Sequence, residues 1–213
     1  VNLMSVGIDG GKRKDKKGEF LRKMGDSWFF INFNEKDKAV LQLLQDHCLH
    51  GNYEPNTTKL LKEIIKPTDV CLDEGASIGY FTLLLSKLSK KVYSVEATHN
   101  QFPYLQRNLV ENNCTNVYAY NIGAWDKEED IKINSNAGDI GVIHGKALDD
   151  IITEPLDFIK MDIDGSEPKA LLGLEKTIQN STNLKMVIEY YPKYIERLGL
   201  KQQDVLDFLD KYF

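Results

Sequence analysis

From residue 70 the chain alternates short apolar runs with helical periods, and this alternation constrains the fold more than any other feature. Val70-Cys71-Leu72 runs into Asp73, and the spacing predicts a helix over 77–88. Val92–Val95 ends at Glu96 and is followed by a helix over 102–112, with Pro103 in the first turn, where proline is tolerated. Residues 116–122 read as a third strand. Phe158-Ile159-Lys160-Met161 is a fourth, ending at Asp162, and a helix over 167–179 follows it, capped by Ser166 and with Pro168 near its start. A fifth strand over 184–189 and helices over 192–198 and 201–212 close the sequence. Strands without polar alternation are buried on both faces, so the expected class is α/β: a doubly wound, mostly parallel sheet with helices on either side.

The segments outside this rhythm are of another kind. Residues 1–27 are polar and aperiodic and read as an arm, with a short hairpin near 28–33. Helices are expected over 35–49, stopped by Gly51, and over 56–65, capped by Asn56 or Thr57. Residues 126–147 interrupt the alternation and read as an antiparallel insertion, with strands at 131–133 and 140–143. The expected division is an N-terminal arm and helix over 1–52 and one domain over 53–213.

Composition narrows the function classes. Of 27 basic and 32 acidic residues, seven basic and four acidic fall in residues 1–30, so a basic arm precedes an acidic body. Proteins whose main task is gripping a phosphate backbone carry the opposite balance, which makes a nucleic-acid partner unexpected. The three cysteines, Cys48, Cys71 and Cys114, form no paired motif, so a reducing, cytoplasmic setting is expected. His47 and His50 lack a third ligand nearby, and no metal site is expected. No apolar run approaches the ~20 residues of a bilayer-spanning helix, so no membrane partner is expected.

The chemistry concentrates at the ends of the strands. The first strand runs into Asp73-Glu74-Gly75-Ala76-Ser77-Ile78-Gly79. A strand, a glycine turn and a helix start together make a ligand cradle, because glycines admit the ligand to the backbone and the helix offers unpaired N–H groups. The spacing G-x-x-x-G behind two carboxylates would repel a pyrophosphate and accept a cationic ligand, which favours S-adenosylmethionine over NAD. Glu96 lies 23 residues beyond Asp73, the spacing of an acidic residue that takes a ribose hydroxyl pair. Ala97 follows it, and Gly123 and Ala124, at the end of the third strand, are small enough for an adenine to lie flat. Trp125 would stack on that ring or plug the core. Asp162, Asp164 and Glu167 stand where ligands bind in open α/β sheets; Glu167 reads equally as a first-turn helix residue. Asp162 and Asp164 alternate along an extended segment and are expected to face opposite ways.

These motifs, in this order, resemble the FkbM-type family of class I methyltransferases that use S-adenosylmethionine. The resemblance spans roughly residues 53–190: Tyr53-Glu54-Pro55, the Asp73–Thr82 run, Val95-Glu96-Ala97, Asn108 in its helix, Ile122-Gly123-Ala124, Leu148-Asp149-Asp150, Asp157–Glu167 and Val187-Ile188-Glu189. It implies a Rossmann-like sheet of order 3-2-1-4-5 and transfer of a methyl group to an oxygen of a sugar-like or other small hydroxylated molecule. It carries cofactor roles onto Asp73, Gly75, Gly79, Glu96 and Asp162. Glu74 stands where members commonly carry Val or Ile, and Ser77 where they carry Asn. The final antiparallel strand pair of that fold is expected to be missing, and with the non-Met first residue this reads as a trimmed chain. The edge of the fifth strand would then be covered by association, which makes a homo-oligomer an expectation.

The expected chemistry is in-line displacement, with the protein supplying position and proton removal. Asp162 and Asp164 are the favoured bases, with His144 and Glu189 behind them. Three rival readings stand: an RNA methyltransferase holding phosphate with the basic arm, a binding module for S-adenosylmethionine without turnover, and a nucleotide-sugar or NAD-binding protein.

Overall fold

The computed structural model describes residues 19–24, 27–32, 53–134 and 140–213. The hairpin of β1 (Glu19–Met24) and β2 (Ser27–Asn32) is antiparallel, so the polar arm gives way to strand at Glu19, earlier than expected. The helix expected over 35–49, with His47, Cys48 and His50, lies outside the described residues.

The core is a five-stranded parallel sheet: β3 (Val70–Glu74), β4 (Lys91–Val95), β5 (Val117–Tyr120), β9 (Phe158–Met161) and β10 (Lys185–Ile188). Its order β10-β9-β3-β4-β5 is the expected 3-2-1-4-5 read from the other edge. Because successive strand residues point to opposite faces, each strand divides its side chains between two layers. Cys71, Val92 and Phe158 meet Leu61 of α1 (Pro55–Ile64) and Phe81 and Leu85 of α2 (Tyr80–Leu88). Leu83 of α2 also packs with Leu105 and Leu109 of α3 (Phe102–Glu111). On the other face Leu72, Val95, Ile159 and Met161 meet α4 (Glu167–Gly173), α5 (Glu175–Asn180), α6 (Pro192–Arg197) and α7 (Gln202–Tyr212) through Leu171, Ile178, Ile195 and Phe208.

Several local expectations shift. The helix after β3 starts at Tyr80, not Ser77, because Ser77 (φ 52°) and Gly79 (φ 96°) are left-handed. α1 begins with Pro55 behind a left-handed Glu54 (φ 40°), and neither Asn56 nor Thr57 caps it. Ser166 precedes α4 without a side-chain cap; the Glu167 carboxylate instead accepts the N–H groups of Ile163 and Gly165 at 3.3 Å. The single helix expected over 167–179 breaks at Leu174, where Gly173 presses on Trp125: a Cβ there would stand 1.8 Å from the Trp125 carbonyl oxygen. The insertion is only partly antiparallel. β7 (Glu129–Asn134) and β8 (Ile140–Lys146) run antiparallel, but β6 (Gly123–Ala124) joins β8 in parallel.

Candidate functional site

Sheet alternation decides which groups meet at the carboxyl ends of β3, β4 and β9. Asp73, Ser94 and Lys160 point to the α2 face. Asp73 is fully buried, and its Oδ2 accepts the Thr82 hydroxyl at 2.5 Å. Thr82 Oγ1 lies 2.9 Å from Ser94 Oγ. Asp73 Oδ1 is buried with no partner. Burial pushes the Asp73 carboxyl above its ordinary range, against the pull of the Lys160 charge and the Thr82 hydroxyl.

Lys160 is the centre of this charge arrangement. It is 4% exposed, its Nζ donates to Asp162 Oδ2 at 2.9 Å, and it lies 4.7 Å from the centre of the Phe81 ring. Burial alone would lower its pKa; the carboxylates of Asp162, Asp73 and Glu54 outweigh it and hold the ammonium charged. Lys160 received no role from the motifs. The signal is nonetheless present, since a lysine within an apolar strand needs a buried partner.

Asp162 is half-buried beyond the end of β9 and hydrogen-bonds the carboxyl of Glu189, which follows β10. The two share a proton unequally. Burial works against the Asp162 carboxylate, but Lys160 and the Glu189 hydrogen bond more than compensate and lower its pKa. The Glu189 carboxyl is pushed up to about 8 by its hydrogen bond to Asp162, by burial and by the Asp162 charge. Asp164 is exposed on the left-handed turn after β9 (φ 54°) and adds negative charge beside Glu189.

The glycine turn is built against these groups. Gly75 adopts φ +80°, and a Cβ on it would stand 1.8 Å from the Asp162 carbonyl oxygen. The N–H groups of Gly75 and Ala76 both donate to Val95 O, at 2.9 and 3.0 Å. Glu96 locks the far side of the turn: Oε2 accepts Ser77 N–H at 2.7 Å, and Oε1 accepts Thr98 N–H at 2.7 Å and the Thr98 hydroxyl at 2.5 Å. Asn108 of α3 closes the turn from above by donating to Ile78 O at 2.7 Å. Next to Glu96, the Asn121 amide donates to the carbonyls of Glu96 and Ala97.

Not every predicted residue joins this cluster. Glu74 points to the opposite face, fully buried, with neither carboxylate oxygen partnered. Its neighbours there include Glu167, 2% exposed, whose Oε2 is also without a partner. Gly123 and Ala124 are buried in β6, and a Cβ on Gly123 would meet Ile143 Cδ1 at 2.5 Å, so the small residue serves packing of the insertion. His144 pairs with Glu128 and Asp130 on the exposed surface of β8. Trp125 donates to Glu129 Oε1 at 2.5 Å and carries Lys169 5.8 Å from its ring centre, which fixes it against α4. Among the described residues no group of three or more His, Cys, Asp or Glu is placed to hold a metal ion, and no helix is long and apolar enough to cross a membrane.

Known proteins share both the sequence pattern and the fold. The chain is 28% identical over 158 residues to the tRNA(Phe) (4-demethylwyosine(37)-C(7)) aminocarboxypropyltransferase of Methanocaldococcus jannaschii, over 72% of this chain and 57% of that protein. The FkbM methyltransferase structure from Methylobacillus flagellatus KT superposes with a TM-score of 0.53 at 21% identity, over 82% of this chain and 47% of that one. SMU.1697c from Streptococcus mutans, in complex with SAH, gives a TM-score of 0.52 at 16% identity, over 74% and 81% of the two chains. The chain thus spans little more than half of the curated relative it matches. A family model described as the methyltransferase FkbM domain matches residues 73–212. With that match covering most of the chain, and with the sheet, glycine turn and strand-end carboxylates in their expected order, the chain belongs to the FkbM methyltransferase domain family.

Proposed function

We propose that this chain transfers a methyl group from S-adenosylmethionine to a hydroxyl oxygen of a sugar-like or other small acceptor. The observation that carries the proposal is the fully buried Asp73, one oxygen without a partner, at the mouth of the glycine turn and beside the Lys160–Asp162–Glu189 cluster. A buried orphan oxygen is costly unless a ligand satisfies it, so the residues fit a ligand with N–H donors and positive charge. Asp73, Gly75, Ala76, Ser77, Gly79, Glu96, Ala97 and Asp162 would hold the cofactor. Gly123 and Ala124 would border its adenine, while Glu74, fully buried on the opposite face, would act only through packing. When bound, S-adenosylmethionine supplies a methyl group on a sulfonium, a leaving group already activated.

The chain's own residues then have two tasks. The turn, braced by Val95 O, Glu96 and Asn108, keeps its geometry without reorganisation, which serves positioning. The Asp162–Glu189 pair handles the acceptor proton. At neutral pH the pair holds one proton on Glu189, and Lys160 keeps Asp162 ionised. Once Glu189 ionises, near pH 8, the pair can accept the proton of an acceptor hydroxyl. Asp164, exposed on the adjoining turn, would add negative charge beside Glu189 and is the second candidate to receive the proton.

A second reading, modification of RNA, is favoured by one observation: the 28% identical relative carries tRNA(Phe) in its name. A label experiment separates the two. Incubation with methyl-labelled S-adenosylmethionine and extracted metabolites or total tRNA should place label in the small hydroxylated fraction, and Asp162→Asn should abolish it. Label confined to tRNA would overturn the proposal.

A further inference from the structure

The Tyr53-Glu54-Pro55 motif precedes the sheet in sequence, yet its contacts seat it against the glycine turn. The Tyr53 N–H donates to the Tyr80 hydroxyl at 3.2 Å, and the Tyr53 carbonyl accepts the Thr58 hydroxyl at 2.6 Å. The Tyr53 ring meets Tyr80 edge-on at 5.4 Å and Phe81 at 5.9 Å. Tyr80 and Phe81 open α2 directly after Gly79, and the Phe81 ring also lies 4.7 Å from Lys160 Nζ. Phe81 thus joins the motif to the buried ammonium.

Glu54 itself is half-buried and left-handed, at φ 40°. That backbone favours Gly or Asn, and the Glu54 side chain does not cap α1, so neither the turn nor the helix calls for a glutamate here. A strained residue without a local reason points to a functional one. Its charge acts on Lys160: with Asp162 and Asp73, Glu54 outweighs burial and keeps that ammonium charged. Three carboxyls therefore gather around one cation. Among the described residues no three acidic groups are placed to hold a metal ion, so the counter-charge that suits them is an organic cation. The sheet order sets the direction from which it comes. β3 stands between β9 and β4. Glu96, proposed for the ribose, braces the turn from the β4 side, and Lys160 with Glu54 closes it from the β9 side. A cofactor with its ribose at Glu96 brings its methionyl end across β3 toward Glu54.

We infer, on the proposed reading of the turn as the cofactor site, that Glu54 is a further cofactor-binding residue whose carboxylate receives the α-ammonium of the methionyl end, shared with the orphan Oδ1 of Asp73. An ammonium has three N–H donors, enough for both carboxyls, and each contact is charge-assisted. The pairing gives the site a selectivity that a glycine turn alone lacks. It separates the amino acid from ligands that carry the same adenosyl group without the amine, and it repels those that carry phosphate there.

The test reads binding rather than turnover. Calorimetric titration would use two probes, S-adenosylhomocysteine and its deamino analogue, in which hydrogen replaces the α-amino group. The parent should bind the first at least about tenfold more tightly than the second. Glu54→Gln should lose about tenfold for S-adenosylhomocysteine and stay within about twofold of the parent for the deamino analogue, which also reports that the variant is folded. A variant that binds S-adenosylhomocysteine as the parent does would overturn the inference. So would a variant that loses both ligands alike, since Glu54 would then only shape the turn. Failure of S-adenosylhomocysteine to bind the parent would strike the cofactor site itself and this inference with it, whereas the two preceding results strike the inference alone.

Discussion

Glu74 offers the most quantitative test of how this sheet is built. It is fully buried, neither carboxylate oxygen has a partner, and burial, with the charges of Glu167 and Asp73, pushes its carboxyl up to about 8. The folded protein therefore keeps a proton that the unfolded chain releases above its ordinary pKa of 4.5. Stability falls as pH rises wherever the native state binds more protons, by about 1.4 kcal/mol per pH unit. The resulting cost is near zero below pH 4.5, about 3 kcal/mol at pH 7 and about 5 kcal/mol above pH 8. Glu74→Gln keeps the shape and removes the titration. Urea unfolding at pH 5, 7 and 8.5 should find the variant close to the parent at pH 5, more stable at pH 7 and more stable still at pH 8.5. Relief of Glu167 from a neighbouring charge acts in the same direction. A gap that does not grow with pH, or a less stable variant at pH 8.5, would mean that Glu74 does not hold its proton in the folded protein.

Two further perturbations address the turn and the proton path. Gly75→Ala combines a positive φ with a Cβ 1.8 Å from the Asp162 carbonyl oxygen, and should lose about 3–5 kcal/mol in urea unfolding. Gly141→Ala, whose Cβ meets nothing within 4 Å, is the control and should lose about 1 kcal/mol or less; similar losses at both sites would contradict the close approach. In the proposed reaction the rate should rise with pH through about 8 as Glu189 ionises, and Glu189→Gln should lower the rate and flatten that limb. An unchanged pH–rate profile in that variant would remove Glu189 from the proton path.

The layers of this fold were legible because their signals are local. Val70-Cys71-Leu72 and Phe158-Ile159 are short apolar runs of the kind a strand covered on both faces shows, and each is followed by a helical period. The strand-end positions of Asp73, Glu96 and Asp162 could be found for the same reason. What escaped depends on contacts distant in sequence. The late start of α2 follows from the left-handed Ser77 and Gly79, and the break between α4 and α5 from the contact of Gly173 with Trp125 O. The period of two assigns Asp73 and Glu74 to opposite faces, yet that Glu74 lies wholly inside, near Glu167, depends on how α4 docks. Lys160 belongs to the site because the sheet order sets β9 beside β3, bringing its ammonium between Asp73 and Asp162. Gly123 has a packing reason to be small that lies 20 residues away, since a Cβ on it would meet Ile143 Cδ1 of β8 at 2.5 Å.

In the proposed reaction the turn between β3 and α2 holds S-adenosylmethionine through the buried Asp73 carboxylate. Calorimetric titration with S-adenosylhomocysteine, of the parent and of Asp73→Asn, reads that contact. The parent should bind at one site per chain, and Asp73→Asn should bind at least about tenfold more weakly, the loss expected for a charge-assisted hydrogen bond. No heat of binding in the parent, or equal affinity in both proteins, would contradict it.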